Sequence, residues 1–117
     1  MPDPWTDPSL TAEQRAIAEL VHEIATEEIR PVAREADENE SFPEDAWDAL
    51  AEADLAGLTV PEEYGGVAAD RSTYAIVNEE VAYGGLAVAT ALSVHCLVTS
   101  CIATFGTDDQ RERWLPR

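Results

Sequence analysis

The chain has 117 residues, 45% of them hydrophobic, and carries 24 acidic residues against 7 basic ones, for a formal net charge of -17. This length predicts one domain with a modest core, and the charge excludes DNA, RNA and anionic membrane surfaces as partners, because those partners are bound through basic surfaces. The acidic groups of such a surface repel one another in dilute buffer. At molar salt the screening length falls to about 3 Å and this repulsion largely disappears, so the composition indicates a salt-rich cytoplasm.

The N-terminal third is predicted to be an irregular segment followed by a helix. Residues 1–10 hold three prolines and no apolar run, so we expect no secretion signal and a cytoplasmic protein. Thr11 and Gln14 form a capping box, which marks a helix start and opens a domain over residues 11–117. Pro31 should kink or interrupt this helix because it lacks an amide proton.

Turn residues divide the rest of the chain. Ser41 and Glu44 predict a second helix start, and residues 57–70 form a loop. A third helix is predicted over residues 72–83 and is ended by a glycine pair. After a further helix, Gly106 should act as a left-handed cap. A last short helix is predicted to begin at Thr107, so that the fold class is all-α, a helical bundle around one central uncharged helix.

That uncharged helix covers residues 86–105. A charge-free segment of this length has to be covered by protein or by lipid. A membrane span is disfavoured, because hydroxyl side chains interrupt the segment and Asp108 and Asp109 follow it where basic residues are favoured. We predict a helix sheathed by other helices, with Cys96 and Cys101 buried and unable to bridge each other. Its small residues leave room for a close helix or for a ligand.

The pattern contains no complete catalytic or metal site. Glu19 and His22 match the Glu-x-x-His spacing of di-iron bundles, but such a site needs a second pair and two further carboxylates. We therefore expect an exposed helix pair there, and a role in solvation or helix capping for the adjacent Glu79 and Glu80. His95 is expected to be a core histidine with a satisfied hydrogen bond.

A series of segments in fixed order resembles a known family. The segments are Leu-Thr-Ala-Glu-Gln (10–14), Glu-Glu-Ile-Arg-Pro-Val-Ala (27–33), Phe-Pro-Glu-Asp-Ala-Trp (42–47), Leu-Thr-Val-Pro-Glu-Glu-Tyr-Gly-Gly (58–66), Asn-Glu-Glu-Val-Ala (78–82), Val-His-Cys-Leu-Val (94–98) and Phe-Gly-Thr-Asp-Asp-Gln-Arg-Glu-Arg-Trp-Leu-Pro (105–116). Together they resemble the N-terminal helical domain of the acyl-CoA dehydrogenase family, from Leu10 to Pro116.

The resemblance implies a three-domain enzyme that contains FAD. In the family a carboxylate removes the α-proton of an acyl-CoA thioester, the β-hydrogen leaves as hydride to the flavin, and an electron-transfer flavoprotein takes the electrons. A homotetramer is also implied. The family's flavin ligands and usual base lie after this domain, so no catalytic, cofactor-binding or metal-binding residue is assigned to these 117 residues. The chain alone is expected to be an inactive fragment.

The resemblance also implies a role for the uncharged helix as one wall of the acyl pocket. Carried over by position, the acyl-facing residues are Ala89, Thr90, Ser93, Val94 and Leu97. Their spacing places them on one helical face. Two other functions stay open: a flavin oxidase or monooxygenase of the same superfamily, and a stand-alone helical binding or scaffolding module.

Overall fold

The computed structural model describes residues 9–116, so the predicted irregular segment at residues 1–10 lies almost wholly outside the described residues. Within residues 9–116 the chain forms helices and turns and no strand, which confirms the all-α class. The helices are α1 Ala12–Ile24, α2 Arg30–Glu38, α3 Glu44–Glu52, α4 Arg71–Gly84, α5 Leu86–Phe105 and α6 Asp108–Trp114.

The first helix begins and is interrupted as the sequence predicts. The backbone N–H of Gln14 donates to the Thr11 hydroxyl at 3.1 Å, and the N–H of Thr11 donates to the Gln14 side chain at 3.0 Å. The interruption is a π-helical turn over Ala25–Ile29, in which the Arg30 N–H donates to the Ala25 carbonyl. A wider turn fits the next residue, Pro31, which has no N–H and whose ring would crowd a regular α turn.

The start of α3 differs from the prediction. The helix begins at Glu44 with Pro43 as its cap and without a capping side chain. The Ser41 hydroxyl donates instead to the carbonyl of Ala36 at 3.5 Å, and the Ser41 N–H donates to the same oxygen at 2.9 Å. Ser41 therefore closes the end of α2, and the predicted capping box with Glu44 is wrong.

The loop between α3 and α4 folds back on itself. The N–H groups of Val67 and Ala69 donate to the carbonyls of Gly57 and Leu58, each at 2.9 Å. Gly66 allows this contact, since a Cβ atom there would lie 2.0 Å from the carbonyl oxygen of Val60. The last residues of the loop therefore lie at the surface between α4 and α5.

The helix with neighbours on both sides is α4, not α5. It packs against α1 and the π turn on one side and against α5 on the other. Gly84 permits the closest approach, because a Cβ there would meet Ile29 Cβ at 2.9 Å. The core runs through these elements and includes Val21, Leu50, Val81 and Leu92. Other helices of this chain thus cover only one face of α5.

The connection from α5 to α6 differs from the prediction in the backbone conformation of Gly106. Gly106 is extended, with φ -71° and ψ 159°, so the predicted left-handed cap is wrong. A glycine is needed there for a steric reason, since a Cβ would lie 2.5 Å from the carbonyl oxygen of Ile102. The capping box that opens α6 is confirmed, with bonds of 3.2 and 2.9 Å between Thr107 and Gln110.

Candidate functional site

The open face of α5 is the candidate site. It carries no charge and holds several of the most exposed large hydrophobic side chains among the described residues; Leu97 is 62% and Phe105 85% exposed. Of the residues predicted to face an acyl group, Thr90, Val94 and Leu97 are exposed and Ser93 is half-buried. Ala89 is buried in the core beneath them. The structure therefore places four of the five on an accessible surface, and their role stays a prediction.

The same helix meets the length and composition of a membrane span. Leu86–Phe105 has a mean hydropathy of 1.9 over its most apolar stretch, of which 28% is buried. Core helices of soluble proteins share these properties, so length and composition alone are weak support for a span. The buried residues of α5, among them Val88, Leu92 and Cys96, pack against protein.

A cavity of about 250 Å³ lies at one edge of this face, between α5, the start of α4 and the loop before it. Its lining includes Thr59, Ala69, Tyr74, Cys96, Leu97 and Ser100. The exposed Asp70 and Arg71 line it as well. The Ser100 hydroxyl donates to the Thr59 hydroxyl at 3.3 Å, so these two hydroxyls of the lining are hydrogen-bonded to each other.

Cys96 and Tyr74, the less exposed titratable groups of the lining, are neutral at pH 7. Burial raises the pKa of the Cys96 thiol, and the hydrogen bond with Thr59 offsets this in part. Burial, followed by the proximity of Cys96, raises the pKa of Tyr74. At the border, the backbone N–H of Thr73 and then its hydroxyl lower the pKa of Asp70, which caps α4. The cavity suits an apolar group and offers no activated nucleophile.

The predictions for His95, Cys96 and Cys101 on α5 are confirmed in part. His95 Nε2 lies 2.8 Å from the carbonyl oxygen of Ala56, and its ring meets the Trp47 ring edge-on at 5.4 Å, which confirms the predicted hydrogen bond, although His95 is half-buried rather than in the core. Cys96 is buried as predicted. Cys101 is exposed, so its predicted burial is wrong; it lies on the side of α5 that other elements leave open.

A polar cluster on the opposite side of α4 was not predicted. His22 Nδ1 lies 2.5 Å from Oε2 of Glu80. The Tyr83 ring stacks on the His22 ring at 5.2 Å, and the Arg30 guanidinium lies 4.5 Å from the centre of the Tyr83 ring. Glu19 and His22 are both exposed as expected, but the partner of His22 is Glu80 on α4 rather than Glu19.

Glu80 is also buried, at 4% exposure, so the predicted solvation holds for Glu79 alone. One sequence pattern could have revealed the burial of Glu80. Val77, Glu80, Val81 and Gly84 recur at steps of three, one and three residues, which is the spacing of a single buried helix face. Among residues 9–116, no three histidine, cysteine or acidic side chains lie together as a metal site would require.

Comparison with known proteins decides the family. The N-terminal domain of acyl-CoA dehydrogenases matches residues 11–117. The chain belongs to the acyl-CoA dehydrogenase family. Its helices form the N-terminal domain of that family, as the resemblance implied.

Several curated relatives within the acyl-CoA dehydrogenase family are about a third identical to the chain over the aligned residues. It is 39% identical over 110 residues to the cyclohex-1-ene-1-carbonyl-CoA dehydrogenase of Syntrophus aciditrophicus, covering 92% of this chain and 26% of the relative. It is 35% identical over 111 residues to the acryloyl-CoA reductase (NADH) of Anaerotignum propionicum, covering 95% and 28%. The chain thus spans between a quarter and a third of the length of these relatives.

One solved structure shows the same fold. A chain from the structural work on the electron transferring flavoprotein of Acidaminococcus fermentans matches with a TM-score of 0.85 and 29% identity. The match covers 93% of this chain and 29% of that one. Fold and sequence therefore agree on membership of the acyl-CoA dehydrogenase family.

The described residues do not by themselves fit FAD. The cavity beside α5, at about 250 Å³, is smaller than the roughly 300–1,000 Å³ of pockets for drug-sized ligands. Arg71 is the only cationic side chain of its lining, and the carboxylate of Asp70 lies next to it, whereas a pyrophosphate needs several cationic or backbone N–H donors. Any flavin of this acyl-CoA dehydrogenase domain therefore needs protein beyond residues 9–116, and no chemical step is assigned here.

Proposed function

We propose that this chain supplies one wall of the acyl pocket in an FAD-dependent enzyme that dehydrogenates acyl-CoA thioesters. The observation that carries the proposal is the exposed uncharged face of α5 in a member of this family. Monomeric soluble proteins rarely leave so large an apolar area uncovered unless it binds something. An acyl chain, together with the protein that encloses its other side, would cover it.

The polar side chains of this face are compatible with hydrocarbon. The Ser93 hydroxyl donates to the carbonyl of Thr90 at 2.9 Å, one turn back on the same helix. This bond satisfies the hydroxyl proton internally, so an alkyl chain lying on Ser93 leaves no donor unpaired. Because Ser93 is also small, it leaves width in the pocket that a larger residue would fill.

The rest of the proposal concerns the complete protein. The flavin ligands and the carboxylate base belong to parts beyond the described residues, an electron-transfer flavoprotein accepts the electrons, and the enzyme is a cytoplasmic homotetramer. The names of relatives support the substrate class: one is a short-chain specific acyl-CoA dehydrogenase from Clostridium acetobutylicum, 34% identical over 110 residues.

A second candidate is the reverse reaction, reduction of a 2-enoyl thioester. Two relatives favour it by name, the acryloyl-CoA reductase (NADH) and a 3-(aryl)acrylate reductase from Clostridium sporogenes. Both directions require the same apolar wall, so the described residues serve either one. The direction depends on the electron donor or acceptor.

The test uses the complete gene product that contains residues 1–117. We expect a yellow protein whose flavin absorbance bleaches when butanoyl-CoA or decanoyl-CoA is added without oxygen. Oxidation of NADH that depends on acryloyl-CoA would favour the second candidate instead. A colourless product that binds no acyl-CoA would overturn both and favour the stand-alone binding module.

A further inference from the structure

We propose that the groove between α2 and α3 is a docking site for a basic segment of another protein, which presents one apolar side chain between arginines or lysines. The groove has a volume of about 390 Å³ and lies between α2 and the start of α3. None of its lining residues belongs to α5, so the inference goes beyond the acyl wall and does not depend on it.

Part of the groove is apolar and uncovered. Val32 and Ala36 line it from α2, and Phe42 and Pro43 line it from the turn before α3. Val32 is 38% and Phe42 46% exposed. One exposed apolar side chain is ordinary on a protein surface, but two that line the same concave site offer a contact for an apolar side chain of a partner.

The charged residues of the groove are all acidic. They are Glu35 on α2 and Glu44 and Asp45 at the start of α3, and all three are exposed. The remaining polar residues of the lining, Asn39 and Ser41, carry no charge. A cationic side chain that enters the groove therefore meets three carboxylates and no competing cation of the lining, which is the complementarity that selects a basic partner.

The acidic charge around the groove exceeds that of the chain as a whole. Six of the eleven residues 35–45 are acidic and none is basic, against 24 acidic residues among all 117. Three of the six, Glu35, Asp37 and Glu38, lie in the last turn of α2, where the helix dipole disfavours negative charge. Arg34 pairs with one of them, Glu38, at 3.2 Å. Because the charge extends beyond the groove, it favours a polypeptide segment with several cations over a single small cation.

Peptide binding to the complete gene product tests the inference. The probe is a short fluorescent peptide with one leucine between arginines, and the control probe has glycine in place of leucine. Fluorescence anisotropy at about 0.1 M and about 1 M KCl separates charge from apolar contact, because salt screens the charges. We expect the leucine peptide to bind about tenfold or more tightly at both salt concentrations. Equal affinities would overturn the inference, since the attraction would then be that of an acidic surface alone.

Substitution of Phe42 should remove the preference for leucine. Phe42→Ser should weaken binding of the leucine peptide about tenfold and leave the glycine peptide nearly unchanged. Leu20→Ser is the matched control, because Leu20 is 48% exposed but does not line the groove. Val32→Ser should act like Phe42→Ser, and circular dichroism checks that each variant is folded. A preference for leucine that survives both groove substitutions would contradict the inference.

The acidic side of the groove has its own test. Glu44→Gln combined with Asp45→Asn should weaken both peptides at low salt and reduce the salt dependence of their binding. Glu62→Gln combined with Glu63→Gln removes the same charge from an exposed pair outside the groove and should have a smaller effect. Equal losses in the two double variants would overturn the role of the groove.

Other occupants of the groove give different results. Self-association of the protein that Phe42→Ser abolishes would assign the groove to a second copy of the chain. Absence of peptide binding to the complete gene product would mean that no basic segment docks there, as when another part of the same protein already fills the groove. Either result would overturn the inference, and neither would affect the proposed function.

Discussion

Glu80 on α4 and His22 on α1 lie 2.5 Å apart and connect two helices that are 58 residues apart in the chain. The side chain of Glu80 is almost fully buried, whereas that of His22 is 48% exposed. A buried carboxylate needs a hydrogen-bonding partner, because without one it loses its hydration and gains nothing in return. The pair therefore sets how α1 approaches α4.

Truncation of Glu80 should destabilise the fold. We expect Glu80→Ala to lower the free energy of unfolding by about 1–3 kcal/mol, because it removes a buried hydrogen bond and leaves a gap. Urea unfolding followed by circular dichroism measures this. Glu79→Ala is the matched control: Glu79 is the exposed neighbour, so the change should stay within about 0.5 kcal/mol. Equal effects of the two substitutions would contradict the role of the pair.

The cap of α4 should give a pH-dependent contribution to stability. Hydrogen bonds from Thr73 lower the pKa of the Asp70 carboxyl in the folded state. A lowered folded-state pKa means that the contribution is complete above the unfolded-state pKa and is lost as the pH falls through the folded-state pKa. This window lies on the acid side of about pH 4.

Asp70→Asn isolates that contribution, because asparagine also caps helices but does not titrate there. We expect the Tm of the parent chain minus that of the variant to be larger at about pH 6 than at about pH 2.5. The remaining acidic residues titrate in both proteins and cancel in the difference. A difference that does not change with pH would show that the charge of Asp70 adds nothing to the cap.

The two thiols should differ in reactivity. Cys101 is exposed, whereas Cys96 is buried and has a raised pKa, so little of it is thiolate at neutral pH. Titration of the native chain with a thiol-reactive disulfide should give one fast equivalent, and the second only in denaturant. Cys101→Ser should abolish the fast phase. A fast phase that survives this substitution would mean that Cys96 is accessible.

Salt should stabilise the chain through its charge. At -17 the acidic surface repels itself, and molar KCl screens this repulsion. We expect Tm to rise steadily with KCl. A variant in which four exposed glutamates at residues 27, 28, 62 and 63 become glutamine has a formal charge of -13, because four charges are removed. It should show a smaller rise, and a rise of equal size would exclude charge repulsion as the cause.

A bulky residue on the α5 face should favour short substrates. In the complete gene product, Ser93→Trp should raise the ratio of kcat/KM for butanoyl-CoA to that for decanoyl-CoA by about tenfold or more, because the indole would fill pocket space that a long acyl chain needs. Ser72→Trp adds the same side chain at an exposed position of α4 outside the wall. An unchanged substrate profile in Ser93→Trp would remove Ser93 from the acyl pocket.

The sequence by itself determined the family, the all-α class and the helix ends that depend on local contacts. The capping boxes at Thr11 and Thr107 and the break at Gly84 and Gly85 were all predictable. These signals act between residues a few positions apart, so no knowledge of packing is needed to see them.

Only the tertiary structure decided which side chains are covered. Composition predicted a sheathed α5, yet its outer face is open and Cys101 is exposed. The sequence offered no local distinction between the adjacent Glu79 and Glu80, yet Glu80 is buried, where His22 of α1 contacts it. The cavity at Leu97 likewise forms where α5, α4 and the loop before α4 meet. Burial depends on elements that are distant in the chain, and their arrangement comes from packing that local patterns do not encode.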